Sequence, residues 1–266
     1  LFFTNTGRVY QVPAYDVPEG TRISKGKAIF NFLSISQSEQ VTSLLAVHLD
    51  DKTKKTPIPP SEDKYIVMIT KDGVIKKVEA LSFEHVRKNG LIAITLKNGD
   101  RLEWAKLTGG RDELILLSKF GKAVRFKEAD VRSMGRTAGG VRAFRLAKGD
   151  QIVGMDVIGN AKQKTQSSKL LAVMENGFGK QTPVKQYRLQ RRGGSGIKAA
   201  KITPKTGNVV SAQIVSEEES ELVAISRKGQ VIHTTLAAIP VLGRVSQGVR
   251  IMRMDQGDTI ASVTTL

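Results

Sequence analysis

The sequence predicts an all-β fold in which five similar units of four short strands are arranged radially, as in a propeller. Three observations lead to this prediction. A pattern of apolar runs and glycine turns recurs about every 50 residues, apolar and polar residues alternate within it, and no segment keeps a helical period. Because one small sheet cannot bury its apolar face alone, we expect the units to pack against one another.

Each unit opens with a short apolar run and a polar turn that contains glycine, which is the pattern of a β-hairpin. The apolar runs begin at Leu1, Tyr65, Leu114, Leu170 and Leu222, and the turn glycines are Gly7, Gly73, Gly121, Gly179 and Gly229. We predict repeats over roughly residues 1–49, 65–110, 113–159, 170–216 and 221–266, which together form a single domain of residues 1–266.

A second glycine follows the first by 17 or 19 residues in every unit. The fourth and sixth residues after it are apolar and the fifth is polar, as in Ile94, Thr95 and Leu96, so we expect a half-buried strand at this place. A third turn, such as Gly99-Asp100, then leads into the last strand of the unit. The second glycines are Gly26, Gly90, Gly140, Gly196 and Gly248.

The composition indicates a polyanionic partner. The 266 residues include 42 Lys and Arg against 25 Asp and Glu, a net charge of +17, and such an excess attracts nucleic acid or another polyanion. The absence of cysteine excludes disulfides and thiolate metal sites, and no apolar run approaches the roughly 20 residues of a membrane-spanning helix. The three histidines are scattered and no P-loop is present, so the sequence favours a non-catalytic domain that uses no cofactor, metal or membrane.

The positive charge recurs at matching positions of the repeats. Arginine stands four residues before the second glycine in four of the five units, and further cations occur two residues after it or close by. On a radial fold these residues form a basic track along the outer edge, which suits a long polyanion; the alternative is that they are ordinary cations of exposed loops. The predicted track consists of Arg22, Lys25, Lys27, Arg87, Lys88, Arg136, Arg142, Arg188, Lys198, Arg244 and Arg250.

The most basic stretch, which we call the box, is Gln190-Arg191-Arg192-Gly193-Gly194-Ser195-Gly196. Its adjacent guanidinium groups suit phosphate, and its glycines allow a close main-chain approach and an anion-binding nest of N–H groups. Aromatic residues make up only 5% of the chain, so base stacking is not expected. The pattern therefore favours double-stranded over single-stranded nucleic acid, held by its phosphates.

The box resembles the Gln-Arg-Arg-Gly-Gly-x-Gly motif of the C-terminal DNA-wrapping domain of the DNA gyrase A protein, and segments such as 118–126 and 139–146 resemble its blades. The resemblance extends along the whole chain and implies a β-pinwheel, a propeller-like fold that bends double-stranded DNA around a basic outer edge. In that family the wrap makes supercoiling by a type IIA topoisomerase directional and negative. The resemblance also implies a bacterial, cytoplasmic, nucleoid-associated protein whose partners are the B subunit, together with the remainder of the A subunit.

The sequence departs from the family pattern in two ways. Ser195 stands where members usually have Lys, and the box falls in the fourth of five units instead of the first. We expect either a sixth blade with its own box before Leu1, or the A-type subunit of topoisomerase IV, whose domain steers DNA without strong chiral wrapping. A propeller that binds an acidic protein on its flat faces and an RNA-binding propeller are the remaining alternatives.

Overall fold

The computed structural model describes residues 1–20, 25–47, 64–87, 89–159, 167–215 and 220–266. Within these ranges the chain forms short β-strands and 3-10 helices of three or four residues. The strands are β1 (Phe2–Thr4), β2 (Arg8–Tyr10), β3 (Val41–Leu44), β4 (Tyr65–Thr70), β5 (Val74–Glu79), β6 (Leu91–Ile92), β7 (Leu102–Thr108), β8 (Glu113–Ser118), β9 (Lys122–Lys127), β10 (Val141–Arg142), β11 (Ile152–Ile158), β12 (Lys169–Met174), β13 (Phe178–Pro183), β14 (Ile197–Lys198), β15 (Val209–Val215), β16 (Glu221–Ser226), β17 (Val231–Thr235), β18 (Val249–Arg250) and β19 (Ile260–Thr265). The 3-10 helices are Ala14–Asp16, Ile29–Asn31, Ala80–Phe83, Glu128–Asp130, Val184–Gln186 and Leu236–Ala238.

The strands form five sheets, which we call blades 1 to 5 in chain order. Blades 1 to 4 have the strand orders β3-β1-β2-β6, β7-β4-β5-β10, β11-β8-β9-β14 and β15-β12-β13-β18, and blade 5 has the order β19-β16-β17 within the described residues. The predicted all-β fold of repeated four-stranded blades is confirmed. Blade 5 has three strands because no described strand lies beside β17.

The blades belong to two compact units. One unit comprises Leu1–Gly110 with Val131–Val141 and contains blades 1 and 2; the other comprises Arg111–Asp130 with Arg142–Leu266 and contains blades 3 to 5. Within each unit, neighbouring blades contact each other through their last long strands, β3 with β7, β11 with β15 and β15 with β19. In blades 1 to 4 a strand of only two residues forms the opposite edge, which we call the outer edge of the sheet.

Blade 4 illustrates why the hairpin strands read as continuous apolar runs. Leu170 of β12 packs in an apolar core shared with blade 3, whereas the next residue, Leu171, packs in a core shared with blade 5. Successive side chains of a strand point to opposite faces, so both faces of this sheet are buried. Blades 1 and 2 are joined in the same way by Phe3, Ile66 and Met68.

One strand of each four-stranded blade comes from the following repeat, an exchange that the repeat pattern alone does not reveal. The two residues of β6 follow Gly90 of the second repeat but pair with β2 of the first, and β14 and β18 are exchanged in the same direction. The expected strand over Ile94, Thr95 and Leu96 is also not formed. At this place the chain crosses from β6 of blade 1 to β7 of blade 2. Ile94 is buried and Thr95 is exposed along the crossing.

The hairpin turn of the fourth repeat is at Gly177 and not, as predicted, at Gly179. Gly177 has a φ of +76°, and its N–H donates to the carbonyl of Met174 over 3.1 Å. Gly179 lies inside β13 and pairs with Val249. With Gly177 as the turn residue, the second glycine follows the first by 19 residues in four of the five repeats.

We expect Gly177→Ala to lower the free energy of unfolding by about 2 kcal/mol or more, because a left-handed backbone strains any side chain and its Cβ would lie 2.2 Å from the carbonyl oxygen of Met252. Gly179→Ala is the matched control. Its Cβ would meet only the flexible end of Ile251, at 2.9 Å. Urea unfolding measures both changes, and a control that costs as much as Gly177→Ala contradicts the placement of the turn.

Candidate nucleic-acid interface

The exchanged strands place cations at the outer edges of the sheets. Arg142 in β10, Lys198 in β14 and Arg250 in β18 each stand two residues after the second glycine, and all three are exposed. In blade 3, Lys198 lies directly opposite Lys122 of β9. Side chains that face each other across two strands are close enough for like charges to repel, and neither lysine forms an ion pair within the described residues. Blade 3 therefore presents a paired cationic site.

Glycine is required where an exchanged strand meets the preceding blade. The carbonyl of Gly121 accepts hydrogen bonds from the N–H groups of Ala199 and Ala200, over 2.8 and 3.2 Å, and blades 1 and 4 repeat this pair of bonds. At Gly196, whose φ is +71°, a Cβ would lie 2.8 Å from the carbonyl oxygen of Ala123. A side chain there would push the strand off the sheet, so the glycine fixes the position of the cation that follows it.

Arg192 of the box and Arg244 of the predicted track each donate hydrogen bonds to main-chain carbonyls of the preceding repeat. Arg192 donates from Nε to the carbonyl of Asp130 over 2.8 Å and from Nη1 to the carbonyl of Arg142 over 3.1 Å. Arg244 donates from Nη1 to the carbonyl of Lys198 over 2.7 Å. The structure thus brings Arg192 beside Arg142, and Arg244 beside Lys198.

The box is held in place by main-chain hydrogen bonds to the preceding repeat. The N–H of Gly193 donates to the carbonyl of Ala143 over 2.6 Å, and the carbonyl of Gly194 accepts from the N–H of Arg145 over 2.9 Å. The Gly193 N–H is therefore already hydrogen-bonded and is not available to form part of an anion-binding nest. Arg191 is exposed, and its side chain has no hydrogen-bond or ion-pair partner among the described residues.

The remaining predicted site residues are placed as follows. Ser195 is exposed, Gln190 is half-buried, and Gly196 directly precedes β14. Arg136 is half-buried, and its carbonyl accepts a hydrogen bond from Lys76 Nζ. Arg22 and Lys88 lie outside the described residues. The exposed cations of the predicted track are Lys25, Lys27, Arg87, Arg142, Arg188, Lys198 and Arg250.

Two buried lysines that position these loops were missed by sequence reasoning. Lys180 is 0% exposed, and its Nζ donates to the carbonyls of Gly243 and Arg244, over 2.9 and 2.6 Å, and to Ser246 Oγ over 3.2 Å. Lys76 occupies the equivalent place in blade 2 and is also 0% exposed. Burial lowers the pKa of each lysine to about 8. In the sequence both read as polar residues of a hairpin strand, so nothing separates them from exposed lysines.

Arg125 is a further positioning residue that sequence reasoning missed. Its Nη1 donates to the carbonyls of Val184 and Tyr187, over 3.1 and 3.0 Å, which fixes the 3-10 helix of the next repeat. Its Nε pairs with Glu113 Oε2 over 2.6 Å. Gln181 occupies the same position in blade 4 and holds the next 3-10 helix in the same way. These contacts connect the third repeat to the fourth, and the fourth to the fifth, and in each case the later repeat supplies the outer strand.

The Gly-Asp pairs are turn residues, as predicted. The Asp150 carboxylate accepts the N–H groups of Phe120 and Gln151, over 2.9 and 3.0 Å, and Asp100 and Asp258 make equivalent contacts. The described residues contain no cluster of three or more His, Cys, Asp or Glu able to hold a metal ion. Among the helices described here, none has the length and apolar character needed to span a membrane.

The sequence matches a family model described as the DNA gyrase C-terminal domain, a beta-propeller, over residues 1–48, 64–108, 112–158, 169–216 and 220–266. The A subunit of DNA gyrase from Staphylococcus epidermidis is 38% identical over 263 residues, which cover 99% of this chain and 28% of that protein. The corresponding protein of Staphylococcus aureus gives the same identity and coverage. The chain thus spans little more than a quarter of the length of these relatives.

Two solved structures are similar to this chain. The C-terminal domain of DNA topoisomerase IV superposes with a TM-score of 0.85 at 22% identity, covering 100% of this chain and 78% of the other. The DNA gyrase A C-terminal domain superposes with a TM-score of 0.78 at 26% identity, covering 99% of this chain and 80% of the other. The first likeness shows the fold alone.

We expect Arg192→Ala to lower the free energy of unfolding by about 1 to 2 kcal/mol, because two main-chain carbonyls lose a charged donor. Arg191→Ala removes the same charge from the neighbouring residue, whose side chain has no described partner, so its effect should stay within about 0.5 kcal/mol. Urea unfolding of the two variants gives the comparison. Equal losses of stability contradict the role of Arg192 in holding the preceding repeat.

The free energy of unfolding should rise as the pH increases from about 8 to about 9.5. In this range Lys76 and Lys180 lose protons in the folded state, at a pKa of about 8, but keep them in the unfolded chain, where the usual value is 10.5. The unfolded state then binds more protons, so stability increases with pH, by at most about 1.4 kcal/mol per pH unit for each lysine. Below about pH 7 both states are protonated and the two lysines add no slope.

Denaturant unfolding of wild type and Lys180→Met across this pH range measures the slope, with Lys127→Met as the exposed control. The Lys180→Met slope should be shallower than that of wild type, and the control should match wild type. The range ends below about pH 10, where an unfolded tyrosine begins to ionise. Burial raises the pKa of Tyr187 in the folded state to about 12, so above about pH 10 this residue makes stability fall as the pH rises. Identical slopes in all three proteins contradict the depressed pKa of the buried lysine.

Proposed function

Because the chain belongs to the DNA gyrase C-terminal domain family, as the resemblance of its box predicted, we propose that it binds double-stranded DNA along its exchanged strands and bends it. In the parent type IIA topoisomerase, the bent DNA is presented to the strand-passage gate, which makes supercoiling directional and negative. The partners are the B subunit, together with the remainder of the A subunit, in the bacterial cytoplasm at the nucleoid. Catalysis belongs to those parts, and this domain contributes binding and geometry.

The observation that carries this proposal is the repetition of exposed cations on the exchanged strands. Arg142, Lys198 and Arg250 stand at one register position of three blades, and Arg192 and Arg244 place guanidinium groups beside two of them. Cations at regular intervals match the regular phosphates of a duplex, and the release of counterions on binding supplies most of the non-specific affinity. If the blades are arranged radially, as in a β-propeller, the cations of successive blades lie along a curved path.

Contact with the phosphates alone accounts for binding without sequence preference. The exposed residues of the exchanged strands are cations and aliphatic residues, whereas aromatic platforms would be needed to stack single-stranded bases. Bending 20 to 30 base pairs costs about 1 to 6 kcal/mol, so the contacts must be many and spread along the bend. Repeated blades meet this requirement because each adds its own phosphate contacts at the same geometry.

A second candidate is the A-type subunit of topoisomerase IV, which steers DNA without strong chiral wrapping. Ser195 favours it, because the residue is exposed where the gyrase box has a lysine, and one phosphate contact is therefore missing from the loop. Under either candidate, residues 1–266 act as one domain that binds duplex DNA.

We expect Lys122→Ala with Lys198→Ala to weaken binding of a 40-base-pair duplex by about tenfold or more in low salt, because two facing cations are lost from one blade. Lys127→Ala is the matched control, since it removes a cation from the other end of β9. For wild type, about eight neutralised phosphates give a slope of log K against log salt of roughly −7. The double variant should flatten this slope by about 2.

Fluorescence anisotropy at several salt concentrations measures both quantities. The control should keep the wild-type slope and nearly the wild-type affinity. A salt response that is flat in wild type, or equally reduced in the control, contradicts binding through the exchanged strands.

Wrapping is tested by ligating nicked circular DNA in the presence of the chain. A wrapping domain shifts the linking number in one direction in proportion to the bound chain, and Arg191→Ala reduces the shift because it removes an exposed cation of the box. An unchanged linking number with saturating binding supports the topoisomerase IV candidate and overturns chiral wrapping.

Competition experiments distinguish a DNA-wrapping domain from an RNA-binding or a protein-binding propeller. A wrapping domain binds more tightly as the duplex grows from about 20 to over 40 base pairs, and duplex RNA of equal length competes poorly because its helix resists the same bend. Displacement of DNA by equal charge concentrations of duplex RNA favours an RNA-binding domain. Indifference to duplex length, combined with tight binding of an acidic protein, favours a protein-binding propeller.

A further inference from the structure

A cavity of about 580 Å³ lies beside blade 4, within the second compact unit. Its lining comes from two repeats, because the strand exchange brings β18 against β13. Half of the lining residues are cations, and the other half are apolar. They are Phe178, Lys205, Arg250, Ile251, Met252 and Arg253.

Two cations converge on one aromatic ring in this cavity. Lys205 Nζ lies 5.7 Å from the ring centroid of Phe178, and Arg250 Cζ lies 5.6 Å from the same centroid. The negative face of the ring attracts each cation, but the cations repel each other. Arg253 adds a third positive charge to the lining, and no ion pair to any of the three cations is formed within the described residues.

Two carboxylates lie close to this cavity. Asp255 and Asp258 line an adjoining cavity of about 270 Å³, together with Phe178, Lys205 and Arg250. Asp258 Oδ1 accepts the N–H groups of Lys228 and Thr259, over 3.1 and 2.8 Å, and Asp255 Oδ2 accepts Gln230 Nε2 over 2.9 Å. These carboxylates hold the turn of the fifth repeat, and the three cations around Phe178 outnumber the two carboxylates.

We infer that the Phe178 cavity binds a phosphate group. Planar guanidinium groups bind phosphate oxygens through paired hydrogen bonds, and an anion held between the converging cations would relieve their repulsion. The ring of Phe178 is only 5% exposed, so it orients Lys205 and Arg250 and does not stack on a base. The phosphate of a DNA backbone that follows the exchanged strands is one source, and this assignment rests on the proposed function; a free phosphate anion is the other.

This site is particular to blade 4. The residue after the hairpin glycine is aromatic only in the fourth repeat; the other repeats have Arg8, Val74, Lys122 and Gln230 there. Arg145 stands five residues after its second glycine, as Arg253 does, and it is exposed. Arg145 therefore provides a control that removes the same charge at the same repeat position without a converging aromatic site.

The first experiment titrates inorganic pyrophosphate into the 266-residue chain and follows binding by calorimetry. We expect saturable binding to wild type, a loss of affinity of about tenfold in Arg253→Gln and in Lys205→Gln, and less than about a twofold change in Arg145→Gln. Both tested side chains are at the surface of the cavity, so the fold should survive; unfolding midpoints verify this. Absence of saturable binding to wild type, or equal affinity in Arg253→Gln and Arg145→Gln, overturns the site.

The second experiment assigns the source of the phosphate. If the anion is a DNA phosphate, Arg253→Gln weakens binding of a 40-base-pair duplex more than Arg145→Gln does, and pyrophosphate competes with the duplex. If both variants bind the duplex equally while pyrophosphate binding is lost only in Arg253→Gln, the cavity is a site for a free phosphate anion. Failure of wild type to bind duplex at all overturns the proposed function, while the pyrophosphate titration still decides the cavity.

Discussion

The close main-chain approach at the second glycine of the third, fourth and fifth repeats is the constraint on which the rest of the structure depends. At Gly248 a Cβ would lie 2.5 Å from the carbonyl oxygen of Gly179, and at Gly140 it would lie 2.6 Å from that of Ile75. Only glycine allows the chain to pass at this distance and then continue as the outer strand of the preceding blade. Within each compact unit the exchange joins a blade to the next through hydrogen bonds, in addition to the apolar cores between blades, and it decides where the following cation is placed.

Much of the positive charge serves the scaffold before it serves any ligand. Lys180, Arg192 and Arg244 donate to main-chain carbonyls of neighbouring repeats, whereas Arg191 and Lys198 leave their charged groups exposed. Burying a cation is costly unless its donors are satisfied, and carbonyls supply acceptors without neutralising the charge. The surface therefore keeps its excess of positive charge while hydrogen bonds hold the loops that present it, as the proposed binding of a duplex requires.

The sequence alone predicted the repeats, the all-β fold and the positions of the outermost cations, because these follow from local spacing. It could not predict the strand exchange, since nothing in the residues after Gly196 shows whether they pair with their own repeat or with β9 of the preceding one. The same limit explains the error at Gly179, where two glycines two residues apart both fit a turn. Lys180 was missed because burial depends on a loop of the next repeat, and the Phe178 cavity because its lining comes from two repeats.

Contact between the duplex and the cations of the exchanged strands can be measured directly with single cysteines, because the chain contains none of its own. The measurement is the rate at which iodoacetamide alkylates Arg142→Cys, Lys198→Cys, Arg250→Cys and Lys127→Cys, with and without a saturating 40-base-pair duplex. We predict that DNA slows alkylation at the three exchanged-strand positions and leaves Lys127→Cys unchanged. Equal protection at all four positions, or protection at Lys127→Cys alone, would contradict binding along the exchanged strands.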